Sequence, residues 1–250
     1  DEYNFVIKKI KQYKKLKFGI HIDTGLNRLG LDINDLLKIN SYHNKIHILL
    51  SHLSSADEGK NNYNILQNNK FKSAINLKIN AKYNSLSNSM GIILGNNFHH
   101  DLVRPGISLY GGHFNTKMKQ IIKPVICLKG KILQIKEISK NEFVGYNQTY
   151  KTNKKLKVAI LGIGYADGIS RVLSNKGNAY FKNKTFKIIG RVSMDSITVD
   201  ISKNDKLIKV GDYMEIINHS NGIDKIANQC NTICDEILTS ISKRVKRVYI

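Results

Sequence analysis

The stretch GIHIDTGLNRLG places Asp23, Thr24 and Gly25 directly after an apolar run, Phe18–Ile22. An apolar run ending in Asp-Thr-Gly is how an aspartic protease presents a catalytic carboxylate, but that chemistry needs two carboxylates sharing one proton. No second Asp-Thr-Gly or Asp-Ser-Gly occurs, and IIGR (188–191) lies far downstream in a differently patterned region. Asp23 is therefore not read as a catalytic acid. Other groups of chemical interest are Arg28, His52, Asp57, the pair Asn88–Ser89, and the run Arg104–Ile107. A serine hydroxyl such as Ser89 can donate to a phosphate, and a glycine such as Gly106 lets backbone N–H groups approach an anion closely. Each has a plainer role. Arg104 could form a surface ion pair, His52 could be a core histidine, Asn88–Ser89 could cap a helix, and GYADG (164–168) could be an ordinary turn. What joins them is that each lies just after a predicted strand.

The elements that must position these residues follow from hydrophobic periodicity. Phe18–Ile22 and Ile46–Leu50 read as strands, and Ile33–Ile39 as a short helix. Tyr63, Leu66, Phe71, Ala74, Ile75 and Leu77 sit near helical spacing on a helix of roughly fifteen residues. The segment AKYNSLSNS holds a further short strand. Repeated βα units with short connections imply a parallel sheet, open or closed into a barrel. In a parallel α/β barrel the functional groups gather at the C-terminal strand ends, with phosphate bound in the last two βα loops. After Gly112 the character changes. VICLKGKILQI alternates with period two, AYFKNKTFKIIGRV reads as a hairpin about Lys182-Asn183-Lys184, and ITVDI, DYMEII and a final RVYI read as strands. Brief helices are expected at Ile223–Asn228 and Asp235–Ser242. The second part is mostly β, with the change of character near residues 112–122.

Composition narrows the classes. At 250 residues and 41% hydrophobic content the chain can build a real core, and no apolar run nears membrane-spanning length. No partner membrane is expected. The net charge of +21 invites a nucleic-acid reading, but the lysines are scattered among Asn and Ile, and aromatics are not interleaved with Arg as a stacking platform requires. Nucleic acid is thus not an expected partner. Cys127, Cys230 and Cys234 show no metal-ligand spacing, so no metal and reduced thiols are expected. The first residue is Asp1, and the chain reads as a piece of a longer protein.

The motifs HIDTGLNRLG, SHLSSADE, NSMGIIL, DLVRPGISLYGG, FVGYNQTY, GIGYADGISRVLSNKG, IIGRVSMD, VGDYMEII and EILTSISKRVKRVY, in this order, resemble those of alanine racemase, a fold-type III enzyme using pyridoxal 5'-phosphate. The resemblance implies the C-terminal portion of a (β/α)8 TIM-type barrel over residues 1–118, followed by a β-rich domain over 119–250 that carries a catalytic tyrosine. It implies that Arg104 faces the pyridine nitrogen. It implies that Ser89, with Asn88 beside it and the backbone of Gly106 and Ile107, holds the phosphate. Tyr146 would be one of two catalytic bases, acting in the partner subunit's site of a cytoplasmic homodimer. A free tyrosine is a poor base, with a pKa of ~10, so His52 and Arg28 are expected to favour its phenolate. Arg28 and the backbone at Met194 would meet the substrate carboxylate, with Tyr165 beside them. Asp57, Arg171, Arg191 and Asp195 would line the substrate entrance.

The resemblance also implies a second base, a Schiff-base lysine in a KANAYGHG-like motif that this chain lacks. The early barrel strands, roughly a hundred residues by the usual size of such barrels, are expected to precede Asp1, and the isolated chain is expected to be poorly soluble. Two positions depart from the family pattern: His21 stands where a carbamylated lysine is frequent, and Asp235 where a tyrosine helps bind the phosphate. The expected function is interconversion of L- and D-alanine, supplying peptidoglycan precursors. Racemisation of a larger or basic amino acid, and a truncated non-catalytic relative that only dimerises or binds ligand, are the alternatives.

Overall fold

A computed structural model describes residues 8–9, 12–13, 16–36, 46–77, 79, 81–113, 116–203 and 205–250. The chain separates into two compact units, one ending at Ser108 and the other beginning at Leu109.

The first unit holds three parallel strands in the order β1 (Phe18–His21), β2 (Ile46–Leu50) and β3 (Tyr83–Ser85). Parallel neighbours need a crossover connection, and α2 (Tyr63–Asn76) supplies one between β2 and β3; α1 (Ile33–Leu36) follows β1. Residues 37–39 of the helix expected at Ile33–Ile39 lie outside the described residues. Ile20 in β1, Ile46 and Leu49 in β2, and Ile22 and Leu86 just beyond β1 and β3 are buried.

The inner face of α2 differs from the expected one. Phe71 and Ala74 are buried, but so are Asn64, Gln67 and Asn68, while Leu66 is 54% exposed. The physical reason is the surface that this face covers. The N-terminal half of α2 lies over strand-end loops whose backbone N–H and C=O groups need partners, so amides rather than leucines fill the contact.

The second unit is built on a closed antiparallel barrel. In chain order its strands are β4 (Leu128–Ile138), β7 (Leu156–Leu161), β8 (Asn178–Phe181), β9 (Lys184–Ile189), β10 (Ile197–Asp200) and β11 (Tyr213–Ile217), and round the barrel they run β10-β7-β4-β11-β8-β9. Along β4 the side chains alternate as a half-buried strand requires: Leu128, Gly130 and Ile132 inward, Lys129, Lys131 and Leu133 outward. Ile132, Ala159, Leu161, Ile188, Ile197, Val199 and Met214 fill the interior. The β8–β9 turn places Lys182 and Asn183 at φ +46° and +64°, the two positive angles of the tight turn whose twist suits a hairpin. A separate hairpin, β5 (Phe143–Val144) and β6 (Tyr150–Lys151), packs Val144 and Tyr150 against Ile138, Leu156, Val158 and Ile189.

Helix α3 (Thr116–Ile121) precedes β4, and α4 (Ile223–Cys230) and α5 (Cys234–Ser240) follow β11. RVYI is not a strand: Val248 and Tyr249 are 71% and 90% exposed. The barrel is closed, so these apolar residues find no open edge to extend. Among the described residues no helix is long and apolar enough to cross a membrane.

Candidate functional site

In the first unit the strand-end loops converge on a buried polar network. Beyond β1 the chain turns back on itself: Leu31 N donates to the His21 carbonyl at 2.8 Å and Asp23 N to that of Leu31 at 3.0 Å. Asp23 Oδ1 accepts the amides of Gly25 and Asn27 at 2.8 and 3.1 Å. Those backbone amides hold its carboxyl below the usual aspartate range against the opposing effect of burial. Asp23 is thus a turn-forming anion, and the turn carries Arg28, whose side chain is exposed.

Gln67 on α2 organises the neighbouring loops. It is fully buried; its Oε1 accepts the Ser54 amide at 2.8 Å and hydroxyl at 3.0 Å. Its Nε2 donates to the His52 carbonyl at 3.1 Å and to Thr24 Oγ1 at 3.4 Å. Thr24 and Ser51 join hydroxyls at 2.8 Å, and Ser51 donates to the Ile22 carbonyl at 2.7 Å. The loops bearing Arg28 and His52 are therefore tied together through one amide. Its sequence signal was a polar run at helical spacing, Asn64, Gln67 and Asn68, continuing the face of Phe71 and Ala74.

Arg104 is anchored under the same strand ends. Its NH1 donates to the Ser85 carbonyl at 2.9 Å and hydroxyl at 2.5 Å, and its NH2 to the Ser51 carbonyl at 2.6 Å. Burial lowers its pKa from the ordinary guanidinium value, which still leaves it cationic near neutrality. The His52 ring meets the Asn88 amide at 3.4 Å. Burial, and then the charges of Arg104 and Arg28, push both His21 and His52 below the ordinary histidine value. Both rings are thereby biased toward neutrality, and the positive charge here belongs to the arginines.

Ser89 lies 4% exposed beside a cluster of donors. Its Oγ accepts the backbone amides of Gly106 at 2.8 Å and Ser108 at 3.4 Å. Asn88 Oδ1 turns the segment by accepting the amides of Met90 and Gly91, and Asn88 pairs with Arg104 as a parallel bridge. Ile107 is buried, and Ser108 Oγ is buried with no partner among the described residues. A Cβ added at Gly106 would meet nothing within 4 Å, so the space above the amides is open. Convergent amides and a serine hydroxyl beside the open space at Gly106, with the unpartnered Ser108 hydroxyl close by, fit the oxygens of a phosphate. Ser108 escaped the sequence reading because no rule distinguishes it from any other loop serine. Asp57 is exposed in the turn following β2.

In the second unit Tyr146 opens a 3-10 turn between β5 and β6 and is 66% exposed. Tyr165 and Met194 are brought together: Tyr165 N donates to the Ser193 carbonyl and Ala166 N to the Met194 carbonyl, each at 3.0 Å. Asp167 Oδ2 accepts the Gly164 amide at 2.8 Å. Arg244 Nε bonds Asp167 Oδ1 at 2.6 Å, and its NH2 bonds Asp195 Oδ1 at 2.5 Å. Asp195 is thus paired with a cation that the sequence did not single out among 40 Lys and Arg residues. The guanidinium Nε of Arg191 is buried without a partner among the described residues, while Arg171 is exposed. Asp235 is exposed on the first turn of α5.

Comparison with known proteins gives one consistent result. The family description "Alanine racemase, N-terminal domain" matches residues 5–113, and "Alanine racemase, C-terminal domain" matches residues 125–249. The chain is 38% identical over 256 residues to the alanine racemase of Brucella abortus, covering 95% of this chain and 64% of that protein. It is 36% identical to that of Rickettsia bellii over 99% of this chain and 65% of the relative. The chain thus spans somewhat under two thirds of the length of these relatives. Among solved structures it is similar to the alanine racemase of Bartonella henselae with covalently bound pyridoxal phosphate, at 38% identity and TM-score 0.86, over 98% of this chain and 70% of that one.

Proposed function

The chain belongs to the alanine racemase family, with that family's N-terminal barrel domain and mostly β C-terminal domain, and from that membership we propose that it acts in the interconversion of L- and D-alanine with pyridoxal 5'-phosphate. The observation that supports this reading most is the Ser89 cradle, where two amides, two hydroxyls and open space meet beside a cationic Arg104. Ser89, the amides of Gly106 and Ser108, and the backbone of Ile107 hold the cofactor phosphate, with Asn88 shaping the loop. When bound, the cofactor supplies an electron-withdrawing ring that acidifies the substrate's α-hydrogen.

The remaining work falls to side chains. Arg104, anchored by three acceptors from Ser51 and Ser85, meets the pyridine nitrogen without protonating it, because a guanidinium keeps its proton. An arginine at that position, giving up no proton of its own, would favour prompt return of the substrate proton and hence racemisation. Arg28 binds the substrate carboxylate, with the backbone at Met194. The Tyr146 phenol oxygen takes or returns the proton on one face of the α-carbon. Tyr146 and Tyr165 come from the second subunit of a homodimer. Asp57, Arg171, Arg191 and Asp195 line the way in. The setting is cytoplasmic, and the product D-alanine feeds peptidoglycan synthesis.

A specific observation favours one sibling reading. Asp235 places a carboxylate where the family pattern has a phosphate-side tyrosine, which alters the wall of the pocket and favours a larger or basic substrate. The test is to express the full-length protein and follow D-alanine formation with Tyr146→Phe alongside. Absence of turnover, or turnover untouched by Tyr146→Phe, overturns the main reading. A kcat/KM higher for lysine or arginine than for alanine selects the sibling.

A further inference from the structure

Tyr146 sits in the loop of the β5–β6 hairpin, and one side chain outside that hairpin reaches its far end. Asn175 Oδ1 accepts the Gly190 amide at 2.6 Å, while its Nδ2 donates to the carbonyl and the hydroxyl of Thr149, each at 3.3 Å. The orientation of this amide follows from its partners: Gly190 offers an N–H that only an oxygen can accept, and the Thr149 carbonyl can only accept. Thr149 ends the turn Tyr146–Gln148. The near end lies flush on the same neighbour. A Cβ added at Gly145 would stand 2.8 Å from Arg191 N, and one at Gly190 would stand 2.8 Å from the Val144 carbonyl oxygen. Both ends of the Tyr146 turn are thus referred to Gly190–Arg191, one by backbone contact and the other through Asn175.

The turn needs such support. Asn147 and Gln148 hold φ at +59° and +50°; asparagine tolerates this region, but in glutamine it costs energy and persists where surroundings enforce it. Within its own chain Tyr146 is 66% exposed, so its own unit holds it through the turn rather than by packing on the ring. Asn175 is itself placed by its surroundings. Its φ is +59°, a region asparagine tolerates. Its neighbour Ser174 donates to the Arg171 carbonyl at 2.6 Å and accepts the Val192 amide at 3.0 Å.

We propose that Asn175 is a positioning residue, whose carboxamide fixes the turn that presents the Tyr146 phenol for proton transfer. This rests on the reading of Tyr146 as a base. The test uses the full-length holoenzyme carrying Asn175→Gly, which keeps the left-handed backbone and removes the amide, and Asn175→Asp, which keeps only the acceptor for Gly190. The readouts are kcat and KM for alanine, cofactor absorbance, and hydrogen exchange of the amides of residues 146–149. For Asn175→Gly the expected result is a fall in kcat of about 10- to 100-fold, the scale of a misplaced catalytic group. KM should stay within about twofold, because ground-state binding is untouched. Cofactor absorbance should be unchanged, and exchange at 146–149 should be faster. Asn175→Asp should fall between this variant and the parent. Parental kcat and exchange in Asn175→Gly overturn the proposal, as does a kcat loss matched by loss of cofactor or of overall thermal stability. Full activity in Tyr146→Phe overturns it together with the reading of Tyr146. Full inactivation by Tyr146→Phe with a parental Asn175→Gly removes the Asn175 role alone.

Discussion

Arg244 and Asp167, 77 residues apart, meet in a two-point ion pair, Nε to Oδ1 at 2.6 Å and NH2 to Oδ2 at 3.3 Å. The same guanidinium reaches Asp195. This joins the C-terminal segment to the two turns that carry Tyr165 and Met194. The Asp167 side chain is 10% exposed and Arg244 50%, so the carboxylate is the dependent partner. Asp167→Ala leaves the Gly164 amide unpaired in a buried site, an expected loss of about 1–3 kcal/mol. Arg244→Gln should lower the thermal midpoint less, with an effect that shrinks as salt is raised. Thermal unfolding at two ionic strengths checks both. Equal and salt-independent losses would contradict the arrangement.

Ser89→Ala removes the hydroxyl toward which the Gly106 and Ser108 amides point. A hydrogen bond to a charged group contributes about 1.5–3 kcal/mol, so cofactor affinity should fall roughly 10- to 150-fold by the same arithmetic. Titration of the full-length apoenzyme with pyridoxal phosphate measures it. Unchanged affinity would show that the phosphate sits elsewhere.

Gln67 offers a more demanding case, because it satisfies four groups from a fully buried position. Gln67→Leu is close in size but strands the Ser54 amide and the His52 carbonyl. Each stranded buried group costs about 1–3 kcal/mol. Gln67→Glu keeps an acceptor for Ser54 and loses the donors. Denaturant unfolding should rank parent, then Glu, then Leu. A Leu variant as stable as the parent would mean that water replaces the amide.

The acid side of the stability profile should be set in part by histidines. His21, His52 and His100 all lie below the ordinary value of 6.5, each chiefly through burial and then through neighbouring cations, Arg104 and Arg28 for the first two and Lys72 for the third. A lowered folded-state pKa means that the unfolded chain binds more protons between that pKa and about 6.5. Stability from this source is therefore complete above about pH 6.5 and is lost as pH falls through the folded values. Thermal midpoints measured from pH 8 down to about 5 should decline, and His21→Gln with His100→Gln should flatten the decline. A midpoint that rises on acidification across this window would reverse the assigned sign.

What the sequence determined by itself is the local pattern. Strands at Phe18–Ile22 and Ile46–Leu50, the crossover helix from Tyr63, the alternating β4 and the Lys182-Asn183 turn were legible because each depends on periodicity or on turn chemistry within a few residues. The position of Asp23 and Ser89 after strands was legible for the same reason, whereas the expected strand before Arg104 is absent: residues 101–103 are turn and coil, and Arg104 makes only an isolated bridge with Asn88. Tertiary structure alone decided which partners these residues meet. Leu66 points outward because the face of α2 that it might have shared covers polar loop backbone. RVYI forms no strand because the barrel is already closed. Arg244, Gln67, Ser108 and Asn175 gained their places only when segments 15 to 77 residues apart were brought together. A side chain's type states what bonds it can make, but burial and the geometry of its neighbours choose which of them it makes, and those are properties of the folded chain.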